Sequence, residues 1–363
     1  MPTLEVRGLS KVYGNIRALD DVSLHIEDKE YVCIVGPSGC GKSTLIKCVA
    51  GIIQPTEGEI LIDGHSVLNV PIEDRKIGYV FQDIALFPHL SVKQNLSYGL
   101  IVRNASANTV TTVTNEMLDL LKMSDRSKSY PSELSGGAQQ KVAVGRAIES
   151  GSHLFLLDEP LGALDALVRA ELRYELRRLA SDLGLTVIHV THDQEEALSI
   201  ADRVVIMKAG KIVEVGKPAE VYHTPRSLFT ENFVGETNLL EGTIVEVTGT
   251  SCKVKVGTHT LNVFSDGKKM GQRVIVAIRP EFVALGSDVL SGWECQVKEV
   301  AFLGGLTRYT LEAEGMEIIA HVPSGENHSL RVGEPTRISF GNGEHMLLFD
   351  YPIEGLEKEL ALE

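Results

Sequence analysis

The chain has 363 residues, 43% of them hydrophobic and 23% charged, with a formal net charge of −14. That is long enough for two domains with separate cores, and the composition is that of an ordinary globular protein. No apolar run reaches the roughly 18 to 20 residues that span a bilayer, and residues 1–30 lack a signal-peptide pattern, so the chain is expected to stay in the cytosol unless a partner holds it at a membrane. Residues 236–363 carry 11 Lys and Arg against 19 Asp and Glu, a balance of −8; phosphate backbones are held by clustered cations, so no nucleic-acid partner is expected. The five cysteines, Cys33, Cys40, Cys48, Cys252 and Cys295, form no C-x-x-C pair, which suits reduced thiols rather than zinc.

In chain order, residues 4–9 and 22–26 alternate as strands, with a turn expected at Asp20-Asp21. Val32-Cys33-Ile34-Val35 is a short buried strand running into Gly36-Pro37-Ser38-Gly39-Cys40-Gly41-Lys42-Ser43, and residues 43–49 continue as a helix that Gly51 ends. Strand, glycine loop and helix in that order are what a phosphate-binding loop requires. From about residue 84 to 150 strands give way to an all-helical insert. Strand character returns at 154–157 and 187–190, and between them Val168, Leu172, Leu176, Leu179 and Leu183 form a helical stripe ending at Gly184. Alternation of this kind predicts a mostly parallel sheet covered on both faces.

After Gly235 the texture changes to short β-rich runs separated by Gly, Asp and Asn turns, the pattern of a small barrel or sandwich. The runs fall at 243–247, 253–256, 274–278, 297–302 and 337–340. Residues 240–247 also match 293–300 at a Glu, an aliphatic position and a closing Glu-Val, which suggests two related β-units.

The glycines at 36, 39 and 41 let the loop bend so that its N–H groups, with the helix N-terminus behind them, face phosphate oxygens. Lys42 is expected at the β and γ phosphates, Ser43 on Mg²⁺ and Thr44 at the α-phosphate. Cys40 sits inside this loop, where alkylation would block ATP, although a small residue that simply fits is the plainer reading. Leu154-Phe155-Leu156-Leu157-Asp158-Glu159 is a buried strand ending in two carboxylates. Asp158 there suits a Mg²⁺ shell, and Glu159 can orient and polarise an attacking water. His192, in Thr191-His192-Asp193, follows the next strand at its carboxyl end, where open α/β sheets bind ligands. Gln82, after the strand at 77–81, can sense Mg²⁺ and water. Ser135-Gly136-Gly137 precedes a helix expected at 138–148 and offers a second set of bare backbone donors. Because the phosphate loop already cradles one triphosphate, this second set is most useful facing the nucleotide of another copy.

These elements, in this order, resemble the nucleotide-binding subunit of an ABC transporter over nearly the whole chain. The resemblance implies an α/β P-loop ATPase domain with antiparallel β and helical subdomains at 1–235, followed by an all-β OB-like (TOBE) domain at 236–363. It places Tyr13 against adenine, Gln82 in the Q-loop, Leu134-Ser135-Gly136-Gly137 in the signature, Ala163-Leu164-Asp165 in the D-loop and His192 as the switch histidine. The implied ATP contacts are Tyr13, Gly36, Ser38, Gly39, Cys40, Gly41, Lys42, Ser43 and Thr44, with Ser135, Gly136, Gly137 and Asp165 serving the partner's site. The implied metal ligands are Ser43, Gln82 and Asp158, and Glu159, His192 and Gln82 carry catalysis. ATP and Mg²⁺ are the implied cofactors. The implied assembly is a homodimer with two transmembrane permease subunits, served through them by an extracytoplasmic solute-binding protein and peripheral to the cytoplasmic face of the membrane.

One departure from the family pattern is Ala138, where the signature usually has Gln; loss of one hydrogen bond there would weaken closure by about 1 kcal/mol. Lys141, where Arg is common, is a milder change. Ala277-Ile278-Arg279-Pro280-Glu281 looks like a recurrent motif of the C-terminal domain, and Phe87-Pro88-His89 fits the importer subgroup. The junction Phe233-Val234-Gly235-Glu236-Thr237-Asn238 is similar to that of polyamine importers and, less closely, of ferric-iron and sulfate importers; sugar-type subunits usually differ there. A non-transport ABC ATPase is the competing class, and such proteins usually have two cassettes or a long coiled-coil insert, neither of which this chain has. A nucleic-acid-binding OB module is opposed by the −8 tail.

Overall fold

The computed structural model describes residues 3–149, 151–162, 164–264, 267–286, 292–325, 330–341, 343 and 345–362. They form two compact units, the first ending at Val221 and the second running from Tyr222 to Ala361. The change of texture at Gly235 thus falls inside the second unit.

The first unit opens with β1 (Leu4–Tyr13), β2 (Ile16–Ile26), β3 (Tyr31–Val35) and α1 (Lys42–Ala50), then β4 (Glu57–Ile62), β5 (His65–Ser66) and β6 (Ile77–Val80). Next come α2 (Val92–Val102), α3 (Ala107–Leu120) and α4 (Gly136–Glu149), which are the expected helical insert. The unit continues through β7 (Leu154–Asp158), α5 (Ala166–Asp182), β8 (Thr186–Val190), α6 (Gln194–Ile200), β9 (Arg203–Lys208) and β10 (Lys211–Gly216). Two sheets result. One is antiparallel, in the order β2-β1-β4-β5; the other runs β10-β9-β3-β8-β7-β6, with every pair parallel except β10 with β9. The strands β3, β7 and β8 are buried at every residue, as central parallel strands covered on both faces must be, which is why they read as unbroken apolar runs.

The turn expected at Asp20-Asp21 is not there. The chain reverses at Gly14-Asn15, and β2 runs through both aspartates. Asp21 has φ 54, and its N–H donates to the Ser10 hydroxyl while Asp20 N–H donates to the Gly210 carbonyl. The short polar side chain that favours a turn also tolerates a bulge in the left-handed region, and the register of β1 with β2 shifts nearby. Similarly, α4 begins at Gly136, so the two signature glycines form its first turn rather than a loop before it.

In the insert, Glu149 ends α4 with only 4% of its surface exposed. One carboxylate oxygen accepts from the Thr114 hydroxyl of α3 at 3.4 Å and the other has no hydrogen-bond partner among the described residues. Burial pushes its carboxyl up to about 7, with the Thr114 bond opposing, and a helix C-terminus adds a field unfavourable to an anion. A folded-state value above the unfolded one means that the folded state holds the proton longer. The stability that this one group contributes is therefore fully present at low pH and is lost as pH rises from about 4.5 to about 7. Glu149→Gln is expected to raise the melting temperature at pH 8 and to change it little at pH 5. An equal effect at both pH values in thermal melts would rule this account out.

After α7 (Pro218–His223) the second unit holds α8 (Leu228–Val234), then the strands β11 (Asn238–Thr248), β12 (Ser251–Val256), β13 (His259–Phe264), β14 (Arg273–Ile278), β15 (Ala284–Leu285), β16 (Trp293–Phe302), β17 (Leu306–Ala313), β18 (Met316–Pro323), β19 (Pro335–Ser339) and β20 (Met346–Asp350), and finally α9 (Leu356–Leu360). Two antiparallel five-stranded sheets, β13-β12-β11-β14-β20 and β15-β19-β16-β17-β18, share one apolar core in an OB-like unit. The short sequence match between β11 and β16 corresponds to a structural repeat. Each strand leads a hairpin meander, and each breaks register at the equivalent place, between Ile244 and Glu246 and between Val297 and Glu299. Ile244 exchanges backbone bonds with Gly271 and Gln272, as Val297 does with Gly333 and Glu334. The halves swap their last strand: β20, from the second half, pairs with β14, and β15, from the first, pairs with β19.

The motif Ala277-Ile278-Arg279-Pro280-Glu281 has a structural role in this unit. Arg279 is 4% exposed and its guanidinium donates to Glu231 at 2.8 Å, to the Gly235 carbonyl at 2.8 Å and to those of Glu236 and Tyr222, while lying 4.5 Å from the Tyr222 ring centre. Asn238 donates to the Ile278 and Ile319 carbonyls and accepts from the Ile319 N–H.

Candidate active site

The strand β3 delivers the chain into the phosphate loop, and Gly41 is the N-cap of α1. Gly41 has φ 106, and a Cβ there would lie 2.4 Å from the Ala18 carbonyl oxygen, so only glycine fits. The Lys42 ammonium is buried and donates to the Gly36 and Pro37 carbonyls at 2.7 and 2.9 Å, which holds it within the loop. Ser38 and Gly39 are exposed along the loop, and Thr44 is half-buried beside Ser43 on the first turn of α1. Cys40 is buried, and burial pushes its thiol up, away from the reactive thiolate. At the far end of α1, buried Arg75 donates to the Cys48 and Val49 carbonyls, a cation on the helix C-terminus that fixes the helix in place.

Asp158, 3% exposed, ends β7. One of its carboxylate oxygens accepts from the Ser43 hydroxyl at 2.8 Å and the other from the Tyr79 phenol at 3.0 Å. The next residue, Glu159, has φ 46, the left-handed region that a non-glycine side chain occupies only under constraint. Its N–H donates to the Val190 carbonyl at the end of β8. This turn brings the Glu159 carboxylate between Gln82 Nε2 and His192 Nδ1, 3.3 Å from each. Two carboxylates adjacent in sequence therefore have different partners, Asp158 a serine and a tyrosine, Glu159 a glutamine and a histidine.

His192 is flanked by fixed neighbours. The Thr191 hydroxyl donates to the buried Glu196 carboxylate at 2.6 Å and accepts from the Asp193 N–H, and Asp193 caps α6. Behind them His189, fully buried, lies 2.9 Å from the Tyr31 hydroxyl and 3.2 Å from Glu196, the latter contact poorly aligned for a hydrogen bond.

The signature residues occupy a different place. A Cβ on Gly137 would meet Val168 at 2.6 Å, so the start of α4 packs closely against α5. Asp165 is the N-cap of α5 and accepts from the Val168 N–H, and Arg169 bridges the Leu164 carbonyl and Asp193. Among the described residues no hydrogen bond or ion pair ties Ser135, Gly136 or Gly137 to the phosphate loop. Ala163 lies outside the described residues. Tyr13, at the end of β1, is 44% exposed with the Lys11 ammonium 4.9 Å from its ring centre, so it presents a free aromatic face.

A buried parallel sheet whose strand ends gather a phosphate loop, an Asp-Glu pair and a histidine defines a P-loop ATPase cassette. Residues 19–162 match the ABC transporter family and residues 276–349 the TOBE domain. The chain is 38% identical over 351 residues to the spermidine/putrescine import ATP-binding protein PotA of Rubrobacter xylanophilus, across 95% of this chain and 93% of that one. It is 43% identical over 316 residues to the sulfate/thiosulfate import ATP-binding protein CysA 2 of Chromobacterium violaceum, across 86% and 85%. The dimeric ATP-binding cassette MJ0796, in a post-hydrolysis state bound to ADP and Pi, superposes with a TM-score of 0.54 at 32% identity, covering 59% of this chain and 98% of that one. The chain belongs to the ABC transporter family, as an ATP-binding subunit and ATPase with a C-terminal TOBE domain.

Proposed function

We propose that this ATPase is the motor subunit of a polyamine importer. Two copies close around ATP, each lending Ser135, Gly136, Gly137 and Asp165 to the nucleotide held by the other's phosphate loop. Lys42 and the loop N–H groups, with Ser38, Gly39, Gly41 and Thr44, bind the phosphates, and Tyr13 stacks on the adenine. Glu159 orients and polarises the water, while His192 and Gln82 hold that carboxylate and read the γ-phosphate.

The observation that carries this reading is the Glu159 carboxylate set 3.3 Å from both Gln82 and His192, beside an Asp158 already bonded to Ser43. The donors around Asp158 also fit Mg²⁺, which takes hard oxygens and keeps few protein ligands. The Ser43 hydroxyl, the Asp158 carboxylate and the Gln82 amide would hold it, and the ion would neutralise charge on the phosphates. No helix among the described residues is long and apolar enough to cross a membrane, which is consistent with a subunit that sits against two permeases on the cytoplasmic face and meets an extracytoplasmic binding protein only through them.

The polyamine assignment is supported by the 233–238 junction and by the likeness to a spermidine/putrescine protein; the likeness to a sulfate/thiosulfate protein makes sulfate its main competitor. The test is uptake of labelled spermidine and putrescine, with sulfate and ferric iron in parallel, in cells carrying the native chain or Glu159→Gln. Loss of polyamine uptake alone is expected. Intact polyamine uptake with loss of another cargo would overturn the cargo, and no change in any uptake would overturn the importer.

A further inference from the structure

The strand β6 pairs in parallel with β7, Tyr79 lying opposite Leu156 and Val80 opposite Leu157. It thereby runs beside the strand that ends in Asp158, and its exit carries Gln82. Each of the two adjacent carboxylates accepts a hydrogen bond from this one segment: Asp158 from the Tyr79 phenol at 3.0 Å, and Glu159 from the Gln82 amide at 3.3 Å. The Gln82 contact belongs to the reading above, but the Tyr79 contact does not. We infer that Tyr79 is a positioning residue for the metal site, its hydroxyl fixing the rotation of the Asp158 carboxylate so that the oxygen bonded to Ser43 keeps its direction toward the bound cation.

Three observations support this role. First, the two Asp158 oxygens have separate neutral hydroxyl donors, Ser43 on one and Tyr79 on the other. A carboxylate held at both oxygens cannot turn about its Cβ–Cγ bond without losing a hydrogen bond, whereas one held at a single oxygen can. Among the described residues the cation paired with it is Lys47, 3.9 Å from the Tyr79-bonded oxygen and so beyond hydrogen-bond distance. Second, the ring is fixed. Tyr79 is half-buried against the core beneath the phosphate loop and packs on Phe81 with centroids 4.4 Å apart. Third, the phenol has a proton to give and the ionised carboxylate can only accept, so the hydroxyl donates to Asp158. The geometry therefore gives β6 and its exit, the segment that leads toward the helical insert, a grip on both carboxylates.

This inference rests on Asp158 being a metal ligand, and the test separates the two. The full-length protein would be titrated with Mn²⁺ in the presence of a non-hydrolysable ATP analogue, free Mn²⁺ being read by electron paramagnetic resonance, so that no turnover is needed. Nucleotide binding in EDTA would be measured alongside. Tyr79→Phe keeps the ring and removes one oxygen. It is expected to weaken Mn²⁺ binding roughly tenfold, the size of a hydrogen bond to a charged group, while nucleotide binding in EDTA and the melting temperature stay close to native. Asp158→Asn is the reference for losing the ligand itself. Native Mn²⁺ affinity in Tyr79→Phe with a large loss in Asp158→Asn overturns the role of Tyr79 alone. Native affinity in both overturns the reading of Asp158, and the role of Tyr79 with it. Equal weakening in EDTA and in Mn²⁺ would mean that the phenol supports the loop generally, which also overturns the inference.

Discussion

Replacing Glu159 by Gln is expected to lower ATP turnover by two to three orders of magnitude, the typical weight of a positioned general base, and to leave ATP binding intact. The amide keeps the size of the side chain and can still accept from Gln82 and His192, so the left-handed backbone at φ 46 and the bond to Val190 need not change. What is lost is the negative charge that polarises water. Since the proposed phosphate contacts, Lys42 and the loop, lie elsewhere, the variant should bind ATP and stay closed as a dimer. The check is phosphate release alongside size-exclusion chromatography with ATP. Native turnover would remove Glu159 from the chemistry, and monomers in saturating ATP would sever binding from dimer closure.

Arg279→Met should cost about 3–5 kcal/mol in the second unit, the usual result of removing one partner of a buried ion pair. Among the described residues the Glu231 carboxylate, 1% exposed, would keep only the Thr237 hydroxyl as a partner, and burial already pushes it upward despite the guanidinium. The carbonyls of Gly235, Glu236 and Tyr222 would also lose their donor. The chain has a single tryptophan, Trp293, and it lies in this unit's core, so its fluorescence during urea unfolding reports this unit alone. Adding Glu231→Gln should recover part of the loss, because the stranded charge goes with it. An unchanged midpoint in the single variant would refute the account.

The parts of the site legible in the sequence were those where chemistry needs fixed residues at fixed spacing. The glycine loop, the apolar strand before Asp158-Glu159 and the histidine after β8 could each be placed because a run of local residues announces both the element and its end. The partners of those residues were not legible. Tyr79, Arg75, Glu196 and His189 act across strands or along buried faces, and nothing nearby in sequence marks them. A tyrosine in an apolar strand reads as core until the register of β6 with β7 sets it beside a carboxylate. The Asp20-Asp21 signal failed for another reason: turns and bulges need the same left-handed backbone, so the same residues mark both. In the β unit, five of the ten strands stood out, while the eight-residue match understated a repeat now seen in bulges, turns and pairing order. The junction used to read cargo is explained inside the protein, since Gly235, Glu236, Thr237 and Asn238 are all engaged by Arg279, Arg308, Glu231 or neighbouring strands.

The exchange of closing strands ties this domain's folding to the schedule of its synthesis. The edge of β14 is complete only when β20 pairs with it, and β20 is made long after β14. The first half can form its meander early but must wait, with an unpaired edge and part of the common core exposed, until β20 has been made. Open edges of this kind are where nascent chains associate wrongly. A product terminated before Met346 would therefore leave the sheet begun at Asn238 open along β14, so that one late strand governs the solubility of a domain begun more than a hundred residues earlier.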